Sequence, residues 1–266
     1  MVCESTGGVA YRHWTRQAPR AVFLLVHGLG AHAGRWEAAG DFFLKRGISS
    51  YAVELREAGL PPSAGVGDFY GKILALRNIA IKDTGGQAPV FLIGESLGAV
   101  LSSLVCAGDP EIFKGLICIA PAFKARLKIP PADALKILAG YFFSPKKEFP
   151  LPFNSSMCTR DQDCKKIMDC DPAEYRATSA KMIFQILKEQ ARARRALVRI
   201  TIPSLFLVAG NDLLIDPRSI KDAFKTLAAA DKEIIEFPGM YHALSVDIGK
   251  EKVFETILKW TDGRMA

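Results

Sequence analysis

Residues 89–99 read Pro-Val-Phe-Leu-Ile-Gly-Glu-Ser-Leu-Gly-Ala, and the rest of the chain is organised around this stretch. Its first half is a continuous apolar run with branched side chains, which is typical of a buried strand in a parallel sheet. Apolar residues then recur at helical spacing from Leu97 to Val105, which predicts a helix. The stretch therefore predicts a strand, a sharp turn at residues 94–98 and a helix.

The turn has the pattern Gly-x-Ser-x-Gly. Between a strand and a helix, this pattern indicates a nucleophile elbow, in which the turn strains Ser96 and exposes its hydroxyl. We expect glycine at positions 94 and 98 because a Cβ there would collide with the neighbouring strand or helix. The alternative is a short linker whose serine only caps the following helix. The flanking strand and helix favour the nucleophile.

The composition is that of an ordinary globular protein, with 266 residues, of which 49% are hydrophobic and 24% charged. This length suits one large α/β domain, or one domain that carries an insertion. No apolar run approaches the length needed to cross a bilayer, and the N-terminus lacks the pattern of a secretory signal. We therefore expect a cytoplasmic location.

Six cysteines are scattered along the chain. They are Cys3, Cys106, Cys118, Cys158, Cys164 and Cys170. Cys106 and Cys118 lie in apolar runs and are predicted to be small buried side chains. No Cys-x-x-Cys pair or neighbouring histidine completes a zinc pattern, so we predict no metal site and no cofactor.

The formal net charge is +7, and basic residues cluster in three stretches. The clusters are Lys124, Arg126 and Lys128; Lys146 and Lys147; and Arg192, Arg194, Arg195 and Arg199. Solvated helix faces are the simplest interpretation, and attraction to anionic lipid surfaces or substrates is the functional one. We expect no nucleic-acid partner, because no recognised binding motif accompanies the charge.

Strand-like runs alternate with helical patterns over most of the chain. The predicted strands are residues 8–14, 21–26, 49–55, 89–95, 114–120, 204–210 and 233–237. This alternation predicts an α/β fold with a mostly parallel, doubly wound sheet. In such a sheet the functional groups are expected at the carboxyl ends of the strands.

The alternation stops between Pro121 and Arg199, where no strand-like run flanked by turns is found. Helical patterns at residues 134–143 and 180–196 and proline-rich connectors take its place. We predict a helical cap at 121–199, inserted into a core formed by residues 1–120 and 200–266. The apolar side chains of 135–143 are expected to line a pocket for an acyl chain, and the cap is a candidate for transient contact with a membrane surface.

A serine nucleophile needs a base, and the base needs a carboxylate to orient it. Of the four histidines, only His242 lies beyond the elbow, in a loop just past a strand. Asp212 and Asp216 both follow the preceding predicted strand. Asp216 precedes Pro217, a pair typical of the first turn of a helix, so Asp212 is favoured as the acid. The order Ser96, Asp212, His242 is the one expected on this fold.

An oxyanion hole needs two backbone N–H donors. Leu97 follows the nucleophile at a helix N-terminus, where the helix dipole favours negative charge. Leu29, in the loop after the early strand, is expected to supply the second donor. In that loop, His27 is interpreted as an organising residue instead of a second base, and His32 has no evident role.

Residues 27–36 read His-Gly-Leu-Gly-Ala-His-Ala-Gly-Arg-Trp. They resemble the His-Gly-x-Gly-x-His-x-x-Arg-aromatic stretch of the monoacylglycerol lipase and lysophospholipase-like α/β-hydrolases. Residues 94–98, 209–216 and 238–242 are similar to the elbow, the acid-bearing segment and the histidine loop of that family. The resemblance covers nearly the whole chain and implies the α/β-hydrolase fold, the same triad and an oxyanion hole at Leu29 and Leu97.

One loop departs from this family. Where many relatives have Asp-x-Arg-Gly-x-Gly, residues 54–59 read Glu-Leu-Arg-Glu-Ala-Gly. The departure concerns the shape of a loop near the site, and the residues of the triad are all present.

The resemblance implies a cofactor-free serine hydrolase that cleaves carboxylic esters with an apolar acyl chain, such as monoacylglycerols or lysophospholipids. The same residues also permit a small-molecule carboxylesterase or a thioesterase. A different class, the non-catalytic ligand-binding proteins of this fold, usually lacks a member of the triad, and none is missing here.

Overall fold

The computed structural model describes residues 4–6, 8–55, 66–126 and 130–265. Cys3, Lys128 and residues 56–59 of the departing loop lie outside the described residues. The main sheet contains β1 (Glu4–Thr6), β2 (Val9–Trp14), β3 (Ala21–Val26), β4 (Ile48–Val53), β5 (Val90–Glu95), β6 (Gly115–Ile119), β9 (Ser204–Ala209) and β10 (Lys232–Phe237). A separate pair of strands consists of β7 (Glu148–Pro150) and β8 (Ala177–Ser179).

The strands of the main sheet follow the order β1-β2-β4-β3-β5-β6-β9-β10. From β4 to β10 all neighbours are parallel, and β2 and β1 add two antiparallel pairings at one edge. Parallel neighbours bring the carboxyl ends of the strands to one edge of the sheet. The mostly parallel sheet predicted from the sequence is therefore confirmed.

Helices cover both faces of this sheet. They are α1 (Glu37–Leu44), α2 (Val66–Asp83), α3 (Leu97–Gly108), α4 (Pro131–Phe143), α5 (Ser155–Cys158), α6 (Gln162–Cys170), α7 (Ala180–Ala196), α8 (Pro217–Thr226) and α9 (Lys250–Asp262). Apolar residues of α2, α3, α7 and α8 pack in one buried cluster, and those of α1 and α9 pack in the other. The fold is doubly wound, as predicted.

Strand β3 explains why the central strands are apolar along their whole length. Val22, Leu24 and Val26 point into the cluster on one face, and Phe23 and Leu25 point into the cluster on the other. Alternate residues of a strand face opposite sides, so a strand covered by helices on both sides has no solvent-facing position to fill with polar residues.

The 121–199 segment lies between β6 and β9 and contains α4 to α7. It also contains β7 and β8, which pair antiparallel over three residues each. The expectation of no strand in this segment was wrong. Strands of three residues, one of which ends in Pro150, are too short to produce a recognisable alternation of apolar and polar residues.

Helix α4 differs from the expectation that its apolar residues line a pocket. Leu135, Phe142 and Phe143 are 67%, 68% and 86% exposed. Only Ile137 and Gly140 of this helix are buried, because α4 contacts its neighbours through one narrow stripe. A Cβ on Gly140 would lie 3.1 Å from the Phe149 ring. A helix with apolar residues on several sides can bury only the side that packs against a neighbouring element.

Candidate active site

Ser96 lies at the junction of β5 and α3, with backbone angles φ +56° and ψ −116°. A side-chain-bearing residue rarely adopts a positive φ, so the elbow is a strained turn. Neighbouring main-chain groups hold it in place. The N–H of Ser96 donates to the carbonyl of Ile119 at 2.9 Å, and its own carbonyl accepts the N–H of Ala122 at 3.1 Å.

The glycines on either side of Ser96 are required by close backbone contacts. A Cβ on Gly98 would overlap the carbonyl oxygen of Val26 at the end of β3, and a Cβ on Gly94 would overlap the carbonyl of Gly98. The neighbouring atoms are main-chain atoms that cannot rotate away. This is the collision predicted from the Gly-x-Ser-x-Gly pattern.

Three side chains that are distant in the sequence form one hydrogen-bonded chain. His242 Nε2 lies 2.8 Å from Ser96 Oγ, and His242 Nδ1 lies 2.7 Å from Asp212 Oδ2. Asp212 is fully buried and His242 is 5% exposed. The parallel sheet produces this meeting, because Ser96 follows β5, Asp212 follows β9 and His242 follows β10 at the same edge.

The two aspartates considered from the sequence have different contacts. The second oxygen of Asp212, Oδ1, accepts the backbone N–H groups of Leu214 and Ile215, both at 2.8 Å. Asp216 instead caps α8 and accepts the N–H of Arg218 at 3.0 Å. Asp212 therefore has one oxygen fixed by its own loop and the other directed at the imidazole.

The electrostatic surroundings raise the pKa of His242 above its ordinary value. Burial alone would lower this pKa, but the charge of Asp212, its hydrogen bond to the ring and the charge of Glu95 act in the opposite direction and outweigh burial. A raised pKa makes the imidazole a better proton acceptor than an unperturbed histidine.

The two residues predicted for the oxyanion hole, Leu97 and Leu29, directly follow Ser96 and Gly28 in the sequence. Leu97 is the first residue of α3, and the first N–H groups of a helix have no partner within the helix. Gly28, which precedes Leu29, lies against Ser96, since a Cβ on it would be 3.0 Å from Ser96 Cβ and 3.5 Å from Ser96 Oγ. The backbone at Leu29 thus follows the residue that contacts Ser96.

His27 contacts backbone groups on two sides. Its Nδ1 lies 2.9 Å from the carbonyl of Gly28, and its Nε2 lies 3.2 Å from the N–H of Leu55. These contacts join the loop after β3 to the end of β4, which agrees with the interpretation of His27 as an organising residue.

His32 has partners that the sequence did not indicate. Its Nε2 lies 3.0 Å from Asp171 Oδ2, and the neighbouring Arg35 forms an ion pair with Glu174 at 2.6 Å. Both contacts join the loop after β3 to the 121–199 segment. No local pattern could have identified them, because the partners are 139 residues apart.

Two more carboxylates were missed by sequence analysis. Glu95, the variable residue of the elbow, binds Ser245 with both oxygens, at 3.0 Å to its N–H and 2.7 Å to its hydroxyl. Asp247 accepts the N–H groups of Tyr241 and Arg160. The sequence shows an acid at the variable position of the elbow, and it shows Ser245 and Asp247 among apolar residues after His242, but neither feature indicates a partner.

Comparison with known proteins places this site in a family. A family model described as "Serine aminopeptidase, S33" matches residues 17–249. The chain belongs to this serine aminopeptidase family. Mouse monoglyceride lipase is 28% identical to the chain over 272 residues, which cover 96% of the chain and 87% of the lipase. The resemblance drawn from the motifs is confirmed, and so is the prediction of a hydrolase.

The fold of this member of the serine aminopeptidase family can be compared with solved structures. A soluble variant of monoglyceride lipase from Saccharomyces cerevisiae, in complex with a substrate analog, matches with a TM-score of 0.88 and 18% identity, covering 100% of this chain and 95% of the other. The monoacylglycerol lipase of Paleococcus ferrophilus matches with a TM-score of 0.82 and 23% identity, covering 95% and 97%. The α/β-hydrolase fold is thereby confirmed.

Among the residues that the structure describes, the helices are too short or too polar for any of them to cross a bilayer.

Proposed function

We propose that the chain is a serine hydrolase that cleaves carboxylic esters, with monoacylglycerols as its substrate class. The observation that carries the proposal is the hydrogen-bonded chain from Ser96 through His242 to Asp212, with donor–acceptor distances of 2.8 and 2.7 Å. A buried imidazole between a strained serine and a buried carboxylate is the arrangement that activates a hydroxyl for acyl transfer.

In the proposed reaction, Ser96 Oγ attacks the ester carbonyl while His242 Nε2 takes the hydroxyl proton. Asp212 keeps the other ring nitrogen protonated, so Nε2 is free to accept. The backbone N–H groups of Leu29 and Leu97 stabilise the oxyanion. His242 then protonates the departing alcohol, and a water molecule, activated by the same imidazole, releases the carboxylic acid and restores Ser96.

The substrate class is supported by the relatives and by an exposed apolar surface of the 121–199 segment. The relatives from mouse, Saccharomyces cerevisiae and Paleococcus ferrophilus are named as lipases of monoglycerides or monoacylglycerols. The chain also presents several exposed apolar side chains on α4, which we call the α4 surface. It consists of Leu135, Leu138, Tyr141, Phe142 and Phe143. An enzyme that meets its substrate in a lipid layer has a use for such a surface.

The 121–199 segment is proposed to act as a cap on the site, with 1–120 and 200–266 as the core. Two backbone hydrogen bonds support this assignment. Tyr175 donates to the carbonyl of Gly30 at 2.8 Å, and Ala243 donates to the carbonyl of Cys158 at 2.9 Å. The first bond lies beside the proposed oxyanion hole and the second lies beside His242, so the segment borders the site on two sides.

A fluorophosphonate probe tests the nucleophile. We expect the wild-type protein to be labelled at Ser96 and the Ser96→Ala variant to remain unlabelled. Hydrolysis of monoacylglycerols, lysophospholipids, short aryl esters and an aminoacyl amide then defines the class. Monoacylglycerols should be the best substrates. Faster hydrolysis of the aminoacyl amide would contradict the ester assignment, and a preference for acetate esters would contradict the lipase assignment.

We also propose transient contact of the α4 surface with membranes. Lys124 and Arg126 are exposed and supply positive charge in the same segment, and cationic side chains near an anionic lipid surface each favour binding. Sedimentation with anionic and neutral vesicles tests this contact. The double variant Phe142→Ser, Phe143→Ser should bind less than the wild type. The control is Val198→Ser, which replaces a residue that is 59% exposed and precedes the amino end of β9. This variant should bind as the wild type does. Equal binding of both variants would contradict the proposal.

A further inference from the structure

The carboxylate of Glu95 uses both of its oxygens on one residue. Oε1 accepts the backbone N–H of Ser245 at 3.0 Å, and Oε2 lies 2.7 Å from the Ser245 hydroxyl. Glu95 is 8% exposed and Ser245 is 1% exposed. A two-point contact of this kind, removed from water, fixes distance and orientation better than a single exposed hydrogen bond does.

The two partners lie next to the two groups that react. Glu95 directly precedes Ser96 in the elbow, and Ser245 follows His242 by three residues. Leu244 lies between His242 and Ser245 in the sequence and is fully buried, and its N–H donates to the carbonyl of His242 at 3.0 Å. The backbone from 242 to 245 is thus a short, packed turn, and holding Ser245 also holds His242.

The groups around Glu95 act on the pKa of its carboxyl in opposite directions. Burial is the largest effect and raises the pKa of Glu95 above its ordinary value, and the two Ser245 donors and the charges of His242 and Arg35 offset this rise only in part. The thiol of Cys158 also faces this region, but burial raises the pKa of Cys158 to about 12, so it carries no charge. Asp212 is the other acid acting on His242.

We propose that Glu95 is a positioning residue that holds the His242 loop through Ser245 and presents a second negative charge to the imidazole. It keeps Nε2 of His242 at hydrogen-bond distance from Ser96 without touching the substrate. The inference rests on the proposed function, because this distance matters only if the two groups carry out the reaction.

Ser245→Ala tests the hydrogen bond. It removes one hydroxyl and should lower kcat about tenfold with little change in KM, since small displacements of a reacting group reduce the rate without altering binding. The matched control is Ser102→Ala. Ser102 is also fully buried, and its hydroxyl has no partner among the described residues, so kcat should not change. Rates are expressed per site titrated with fluorophosphonate, which removes any contribution from unfolded protein.

Glu95→Gln tests the charge. The amide keeps the shape of the side chain but carries no charge, so the acid limb of the kcat/KM profile, which reports the free imidazole, should move to lower pH. The control is Glu189→Gln, since Glu189 is also 8% exposed and binds Tyr70 at 2.6 Å, away from the site. If Glu95 had a purely structural role, Glu95→Gln would lower the stability of the protein but would leave the acid limb of the kcat/KM profile at the same pH.

The outcomes separate the inference from the proposed function. With an active wild-type protein, an unchanged kcat in Ser245→Ala or an unmoved acid limb in Glu95→Gln would overturn the inference alone. A wild-type protein that neither reacts with fluorophosphonate nor hydrolyses esters would overturn both. If Glu95→Gln does not fold, the kcat of Ser245→Ala per titrated site decides.

Discussion

Asp247 binds Arg160 with both of its carboxylate oxygens, accepting the backbone N–H at 2.7 Å and the side-chain Nε at 3.0 Å. Asp247 is fully buried and also accepts the N–H of Tyr241, the residue before His242, at 2.8 Å. Because Arg160 belongs to the 121–199 segment, this one carboxylate joins that segment to the loop that carries the proposed base.

Asp247→Asn should lower the free energy of unfolding by about 3 kcal/mol, because an amide nitrogen would face N–H donors that now bind an oxygen. Urea denaturation at neutral pH measures this change. The control is Asp222→Asn, whose exposed carboxylate pairs with the exposed Lys225 at 2.8 Å and whose replacement should have no measurable effect. Equal stability of the two variants would contradict the role of Asp247.

The effect of Asp247→Asn should also depend on pH. Burial alone would raise the pKa of Asp247, but the hydrogen bonds from Tyr241, Arg160 and Thr159 outweigh it and lower this pKa. A carboxyl with a lowered folded-state pKa stabilises the protein above its unfolded pKa, and the stabilisation is lost as pH falls through the folded value. The difference between wild type and variant should therefore shrink in strong acid.

Ser96→Ala should lower kcat by about a million-fold, with the remaining rate supplied by the oxyanion hole and substrate binding. The loss is expected because the substitution removes Oγ of Ser96, the atom that bonds to the acyl group in the proposed reaction. Single-turnover and steady-state hydrolysis of a monoacylglycerol measure it, and the unfolding midpoint serves as the control for folding. A variant that keeps most of the activity would show that the elbow is not the nucleophile.

Asp212→Asn should lower kcat about ten-thousand-fold at neutral pH. Asp212 Oδ1 accepts the N–H groups of Leu214 and Ile215, so an asparagine must keep its oxygen there and turn its NH₂ toward His242 Nδ1. Nδ1 of His242 would then have to accept a hydrogen bond from the amide. The ring proton would move to Nε2, so Nε2 could no longer take a proton from Ser96.

Asp216→Asn is the matched control for Asp212→Asn. Asparagine caps a helix as well as aspartate does, and Asp216 contacts the N–H of Arg218 and not the imidazole. The control should retain the wild-type kcat. A similar loss in both variants would mean that the loop, not the tautomer of His242, is responsible.

The activity should rise with pH through a midpoint above the ordinary pKa of histidine. The imidazole must be neutral to accept the serine proton, and Asp212 and Glu95 raise the pKa of His242 against the opposing effect of burial. A kcat/KM profile measured from acid to neutral pH with a soluble ester tests this expectation. A midpoint below the ordinary histidine value would mean that burial dominates.

Gly98→Ala should lower the free energy of unfolding by about 3 kcal/mol, because the new Cβ overlaps the main-chain oxygen of Val26. Gly108→Ala is the control from the same helix. There, a Cβ meets no atom of the described chain within 4 Å, so the helix should gain up to about 1 kcal/mol. Thermal unfolding of both variants compares them, and an unaffected Gly98→Ala would contradict the tight elbow.

The sheet could be predicted well from the sequence because its strands carry their own signal. Residues 21–26 coincide with β3, and the predicted strand at 204–210 differs from β9 by one residue. The meeting of Ser96, Asp212 and His242 could be predicted as well, since parallel strands bring these residues to one edge whatever lies between them. In each case a local pattern and a general rule of topology were sufficient.

The 121–199 segment was predicted less well, because its structure depends on partners outside it. Helix α4 was correctly placed, but the sequence could not show which of its several apolar sides would be covered. Phe143 was expected in a pocket and is 86% exposed. Likewise, nothing near His32 or Glu95 in the sequence names Asp171 or Ser245 as a partner, since these pairs form only when distant segments meet.

The loop that bears His242 packs against helix α9. Met240 and Leu244 share a buried cluster with Val253, Phe254 and Ile257 of α9. A premature stop codon before residue 250 would remove this support and expose the loop to water. Such a truncated product would keep all three side chains of the proposed triad but would lose the packing that holds the His242 loop, so the proposed activity should depend on α9 as well as on the elbow.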